Sequence, residues 1–198
     1  ENRFLFMVTK QGTVKRLAVS ALKNIRSNGI RALNLDEGDE LITVKETNGE
    51  CNILIATHDG MAVCFNENDV RAMGREAVGV RGIRLKEGDF VVGAGIAEAG
   101  KTVLSITEKG YGKRTSVEEY SVHNRGGLGI RNYMVTEKTG AVVGMMVLFQ
   151  VCKPFNRFRK LVWCAMLVSL FVVFTFLGQL FELHAGTVEI KLVMVTLL

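Results

Sequence analysis

The chain has 198 residues, 48% of them hydrophobic and 23% charged, so it can build a core and is not intrinsically disordered. Gly is frequent at 21 and Pro nearly absent at 1, which excludes collagen and Pro-rich linkers and suits tight turns between short strands. A net charge of +5 permits an anionic partner without demanding one.

The charge is unevenly spread. Residues 1–147 hold 20 Lys and Arg against 18 Asp and Glu, whereas residues 148–198 hold 5 against 2 and are otherwise apolar. The four cysteines, Cys51, Cys64, Cys152 and Cys164, form no C-x-x-C pair, and no histidine stands at ligand spacing from them. They read as small hydrophobes in a reducing compartment, and no metal site is expected. No signal peptide is recognised. The chain opens Glu1-Asn2-Arg3 and enters a strand-like run, as if a larger protein had been cut into.

In chain order, the first element is a strand at Phe4–Thr9, turning through Lys10-Gln11-Gly12 into a returning strand. The same pattern, an apolar run, Thr, two polar residues and Gly, recurs at Ile53–Gly60 and at Val103–Gly110. Each reads as a hairpin whose Gly supplies φ > 0. Gly29-Ile30-Arg31, Gly79-Val80-Arg81 and Gly129-Ile130-Arg131 stand fifty residues apart. Glu37-Gly38-Asp39 and Glu87-Gly88-Asp89 read as turns, followed by strands at Leu41–Val44, Phe90–Val92 and Ala141–Val143. The expectation is all-β: an open, propeller-like array of about three four-stranded blades, with units near 1–51, 52–101 and 102–147.

Kelch propellers fit poorly, because Gly126-Gly127 is the only adjacent Gly pair of the repeats and Trp163 lies outside them. The stretches Asp69-Val70-Arg71-Ala72-Met73-Gly74-Arg75, Gly79-Val80-Arg81-Gly82-Ile83-Arg84-Leu85 and Gly110-Tyr111-Gly112-Lys113-Arg114-Thr115 resemble the C-terminal β-pinwheel of gyrase A, one of the two proteins of DNA gyrase. The resemblance covers residues 1–147, three of the family's usual six blades. It implies a DNA-binding and DNA-wrapping module of an ATP-dependent type II topoisomerase that introduces negative supercoils. Duplex DNA bends around the basic outer rim. Implied partners are duplex DNA, the rest of gyrase A and the whole of gyrase B, in the cytoplasm on the nucleoid. ATP and magnesium belong to the full enzyme; no cofactor is expected in this chain. No catalytic residue is expected either, since Tyr111, Tyr120 and Tyr133 do not fall where the family's cleaving tyrosine would be. The family's wrapping heptapeptide, like Q-R-R-G-G-K-G, is echoed only by His123-Asn124-Arg125-Gly126-Gly127-Leu128-Gly129. The topoisomerase IV counterpart also carries degenerate copies, so that alternative stays open.

The residues expected to hold DNA are Lys15, Arg16, Arg71, Arg75, Arg81, Arg84, Lys113, Arg114, Arg125 and Arg131. Smooth bending of duplex costs roughly 1–6 kcal/mol per 20–30 base pairs, and phosphate contacts must offset it. Arg75, Arg81 and Arg84 are expected to matter more than Arg26 and Arg31. The small Gly residues around Arg81 and Arg84 would let a phosphate backbone approach. The structural alternative for Arg81 is a pair with Glu87 or Asp89.

Gly95-Ile96-Ala97-Glu98-Ala99-Gly100-Lys101-Thr102 satisfies the phosphate-loop pattern, but a β-branched run follows where the motif needs a helix. Nucleotide binding is not expected. Leu161–Phe181 runs 21 residues without a charge after Arg157, Arg159 and Lys160, long enough as a helix to span a bilayer. Three readings of the tail 148–198 stand: an out-of-frame end of such a gene, a membrane anchor, or an apolar segment packed on the open blade edge.

Overall fold

In the computed structural model, residues 2–25 and 27–149 are described. The predicted tail lies outside them from Gln150 onward, and so does Arg26. Among the described residues no helix is long and apolar enough to cross a membrane.

Each Thr-x-x-Gly folds as the sequence requires. Gly12, Gly60 and Gly110 adopt φ of 79°, 80° and 79°. Their N–H groups donate to the carbonyls of Thr9, Thr57 and Thr107 at 3.1, 3.1 and 2.9 Å. The turns join β1 (Phe4–Thr9) to β2 (Thr13–Ala18), β4 (Asn52–Thr57) to β5 (Met61–Asn66), and β8 (Lys101–Thr107) to β9 (Gly112–Ser116). The Glu-Gly-Asp landmarks brace these turns. Asp39 Oδ1 accepts the Gln11 and Glu40 N–H groups at 2.9 and 2.8 Å, and Asp89 Oδ1 those of Asp59 and Phe90, both at 2.9 Å.

Three further strands, β3 (Leu41–Thr47), β7 (Val91–Ile96) and β11 (Val142–Phe149), pair antiparallel with β1, β4 and β8. The fourth strands depart from the expectation that each unit completes its own blade. The short β6 (Val80–Arg81) of the second unit pairs with β2 of the first, Thr13 opposite Arg81 and Val14 opposite Val80. Likewise β10 (Ile130–Arg131) of the third unit pairs with β5 of the second, Ala62 opposite Ile130 and Met61 opposite Arg131. The sheet orders are therefore β3-β1-β2-β6, β7-β4-β5-β10 and β11-β8-β9. This is the β-pinwheel arrangement, with outer strands exchanged between neighbours. Ile30–Arg31, at the corresponding place in the first unit, joins no ladder among the described residues.

Close backbone approach explains the Gly of two of the three Gly-[Ile/Val]-Arg stretches, while a Cβ on Gly29 would meet nothing within 4 Å. A Cβ on Gly79 would lie 2.6 Å from Val14 O, and one on Gly129 2.3 Å from Ala62 O, both at positive φ. A Cβ on Gly82 would strike Val14 Cγ1 at 2.4 Å. These glycines face the preceding unit, not solvent. The expectation that they make room for a phosphate backbone is corrected on that ground.

The cores lie between neighbouring blades. The first joins Phe6, Val8 and Val14 to Ile53, Ile55, Val63, Phe65, Val70, Ile83 and Val91. Phe6 and Phe65 sit at 6.1 Å between ring centroids, tilted by 52°. The second joins Leu54, Ala56, Ala62 and Cys64 to Val103, Val117 and Tyr120.

The phosphate-loop look-alike runs from the end of β7 through a turn straight into β8, so no helix N-terminus exists there. Lys101 pairs with Glu98 at 2.7 Å and lies over the Phe149 ring, and Gly100 N–H donates to Glu118 Oε1 at 2.7 Å. These groups are engaged in holding the turn. Cys51 and Cys64 are free thiols.

A candidate nucleic-acid interface on the outer strands

The sequence-predicted cations divide sharply. Lys15 and Arg16 are 0% and 8% exposed and belong to the fold, which corrects their assignment to DNA. Lys15 Nζ is taken by three carbonyls. Arg16 crosses the first junction: its Nη1 donates to Asn68 Oδ1 at 2.7 Å and Glu67 O at 3.2 Å, and its Nε lies 3.5 Å from Glu67 Oε2. The guanidinium also covers the Phe4 ring at 3.9 Å. Glu67, fully buried, accepts from Thr47 Oγ1 at 2.6 Å, Gly49 N–H at 2.9 Å and Cys51 N–H at 2.8 Å. Those donors belong to the end of β3 and to the turn between β3 and β4, so a single carboxylate fixes the link between the units.

The other eight reach the surface. Arg71, Arg81, Arg84, Lys113, Arg114 and Arg131 are exposed, and Arg75 and Arg125 are half-buried. Arg81 and Arg131 occupy the same place in the two donated strands, at the outer edge of their sheets. The predicted alternative for Arg81 is not realised, since it forms no ion pair with Glu87 or Asp89. Arg114 braces its own sheet through Thr102 Oγ1 at 2.7 Å and Phe149 O at 3.3 Å.

The heptapeptide echo 123–129 packs against the Arg81–Arg84 stretch. Gly126 N–H donates to Gly82 O at 2.7 Å, and Arg84 N–H donates to Gly127 O at 2.8 Å. Arg125 spans the same seam, its Nη1 donating to Arg81 O at 3.0 Å and its Nε to Asp69 O at 2.9 Å. Three guanidinium-bearing residues, Arg81, Arg84 and Arg125, are thereby gathered where two units meet. Among the described residues none of them pairs with a carboxylate. A bound anion offsets the repulsion of neighbouring basic residues, and a guanidinium fork suits phosphate oxygens. Sequence reasoning missed the seam because nothing in a fifty-residue spacing says that one unit's loop lies on its neighbour.

Among the described residues no group of His, Cys, Asp and Glu could hold a metal ion. Tyr120 is buried in the core of the second junction, and its hydroxyl donates to Asn132 Oδ1 of its own unit at 2.5 Å. Asn132 in turn donates to Ser105 Oγ at 2.8 Å.

The sequence matches the family described as DNA gyrase C-terminal domain, beta-propeller, over residues 3–48, 52–98 and 101–148. The gyrase A proteins of Staphylococcus epidermidis and of Staphylococcus aureus are each 48% identical over 145 residues, which is 72% of this chain. The chain spans 16% of the length of these relatives. Among solved structures, the C-terminal domain of DNA topoisomerase IV superposes with a TM-score of 0.70 at 27% identity, covering 74% of this chain and 46% of that one. A DNA gyrase A C-terminal domain superposes at 0.67 and 28%, covering 74% and 49%. The E. coli ParC C-terminal domain, at 0.60 and 20% identity over 75% and 63%, shares the fold. With the family model matched in all three repeats, this chain belongs to the DNA gyrase C-terminal domain, beta-propeller family.

Proposed function

We propose that this chain is a DNA-bending segment of a gyrase A protein, binding duplex phosphates along its outer strands and performing no chemistry itself. The observation that supports it best is the gathering of Arg81, Arg84 and Arg125, with no carboxylate partner among the described residues, at the seam between the second and third units. In the whole enzyme this segment works with the remainder of gyrase A and with gyrase B. ATP and magnesium act in those other parts, in the cytoplasm on the nucleoid. Identity of 48% to gyrase A sequences favours gyrase over topoisomerase IV.

The test is a gel shift of the full chain on duplex DNA at two salt concentrations, repeated with Arg81→Ala and Arg84→Ala together. Loss of two phosphate contacts should lower the salt slope by about two units and weaken binding equally on any sequence. The melting temperature should stay unchanged. A lowered melting temperature with an unaltered slope would assign both residues to the fold instead.

A further inference from the structure

Lys15 sits in the middle of β2 with no solvent exposure. A buried ammonium has three N–H donors to satisfy and a desolvation cost to offset. Its Nζ donates to Ala32 O at 2.9 Å and to Arg75 O and Ala77 O, both at 2.7 Å. Ala32 belongs to its own unit; Arg75 and Ala77 belong to the rim loop of the next. Asn34 Nδ2 takes the carbonyl between those two, Glu76 O, at 2.7 Å. Three successive carbonyls of loop 73–79 are therefore held by side chains of the first unit. The Arg75 guanidinium itself makes no hydrogen bond or ion pair among the described residues.

The third unit supplies an internal comparison. Lys113 occupies the place of Lys15, and its Nζ donates at 3.1 Å to Asn132 O, the repeat equivalent of Ala32 O. No loop from a further unit fills its other two donors among the described residues, and Lys113 is exposed. The own-unit bond thus recurs at both lysines; the two bonds to a following loop are what encloses Lys15. In the second unit the position holds Val63, and the loop above it is tied by Arg125 instead. Arg125 is engaged by that task, whereas Arg75, at the same place in its own loop, is released from it. Burial lowers the Lys15 pKa from its usual 10.5, opposed by the nearby Glu76 carboxylate.

We propose that Lys15 is a positioning residue for DNA: by gathering the Arg75 and Ala77 carbonyls it holds loop 73–79 in the shape that leaves the Arg75 guanidinium free for a phosphate. The inference rests on the DNA reading above. A fully enclosed lysine acts here on a phosphate it never touches.

Two measurements on the full chain test it. In Lys15→Met, amide hydrogen exchange at 73–79 should rise while exchange at β4 and β5 stays as in the wild type. In a double-mutant cycle on duplex DNA, Lys15→Met and Arg75→Ala should each lower the salt slope by about one unit, and the pair together should lower it no further. Additive effects, or a loosened loop with unchanged DNA affinity, would overturn the inference and leave the DNA reading standing. Absence of DNA binding by the wild-type chain would overturn both. Should Lys15→Met fail to fold, Asn34→Ala releases the Glu76 carbonyl without touching the buried charge. It should show the same non-additivity with Arg75→Ala, and additivity there would be equally fatal.

Discussion

The two junctions between units solve one packing problem with opposite chemistry. Across the first, Arg16 of one unit meets Glu67 of the next in a buried ion pair. At the corresponding positions of the second stand Cys64 and Val117, both in its apolar core. The first junction also carries the two Phe rings, while the smaller Ala56, Ala62 and Cys64 line the second. The backbone scaffold is common to both: the same hairpin turn, the same donated strand, the same Gly pressed against the preceding strand. The exchange therefore teaches that the strand swap defines the fold, and that the side chains between the sheets are free to be ionic or apolar provided both partners agree.

The largest effect expected from breaking that agreement is at Glu67. Glu67→Val leaves Arg16 buried without its carboxylate and strands the Gly49 and Cys51 N–H groups, a loss of about 3–5 kcal/mol by denaturant unfolding. Adding Arg16→Cys copies the second junction and should return part of that loss. A double variant no more stable than Glu67→Val would show that the ion pair is not what distinguishes the junctions. Next in size is Arg125→Ala, which removes two ties across the second junction at about 1 kcal/mol each. Arg75→Ala, with no such ties, should leave the unfolding midpoint unaltered, so the pair measures how differently the two rim loops are held.

The smallest effect is in the alkaline range and belongs mainly to the second junction. Burial pushes the Cys64 thiol above its ordinary 9.0 and the Tyr120 phenol above 10.0. Both groups ionise more readily in the unfolded chain. Their contribution is complete below pH 9 and is lost as pH rises past the unfolded values towards the folded ones. Lys15 runs the other way: its lowered pKa means that stability is regained as pH climbs from the folded value to 10.5. Cys64→Val should flatten the fall in stability above pH 9, and an unchanged slope would place the titrating group elsewhere.

Much of this was legible in the residues. Thr-x-x-Gly and Gly-[Ile/Val]-Arg marked the hairpins and the outer strands, because positive φ and close backbone approach admit little but glycine. The fate of Lys15-Arg16 was less open, since adjacent basic residues read as surface. The signal lay in the repeat itself: the equivalent Val63-Cys64 is apolar, and positions that take Val and Cys in one unit are enclosed in the others. Which unit completes which sheet could not be read from period alone, because a fifty-residue spacing is the same whether the outer strand folds back on its own blade or crosses to the next. The acidic turns show a related blindness. Asp39 and Asp89 read only as parts of their own turns, yet each caps the backbone of a turn contributed by another hairpin.

The borrowed strand also sets a timetable. The first sheet is closed only by Val80 and Arg81, and the second only by Ile130 and Arg131. During synthesis at about 5–20 residues per second, each sheet must wait seconds with an open edge for a piece of its successor to emerge. Every completed sheet then locks the one before it, so the array matures from its N-terminal end like overlapping roof tiles, each course held down by the next.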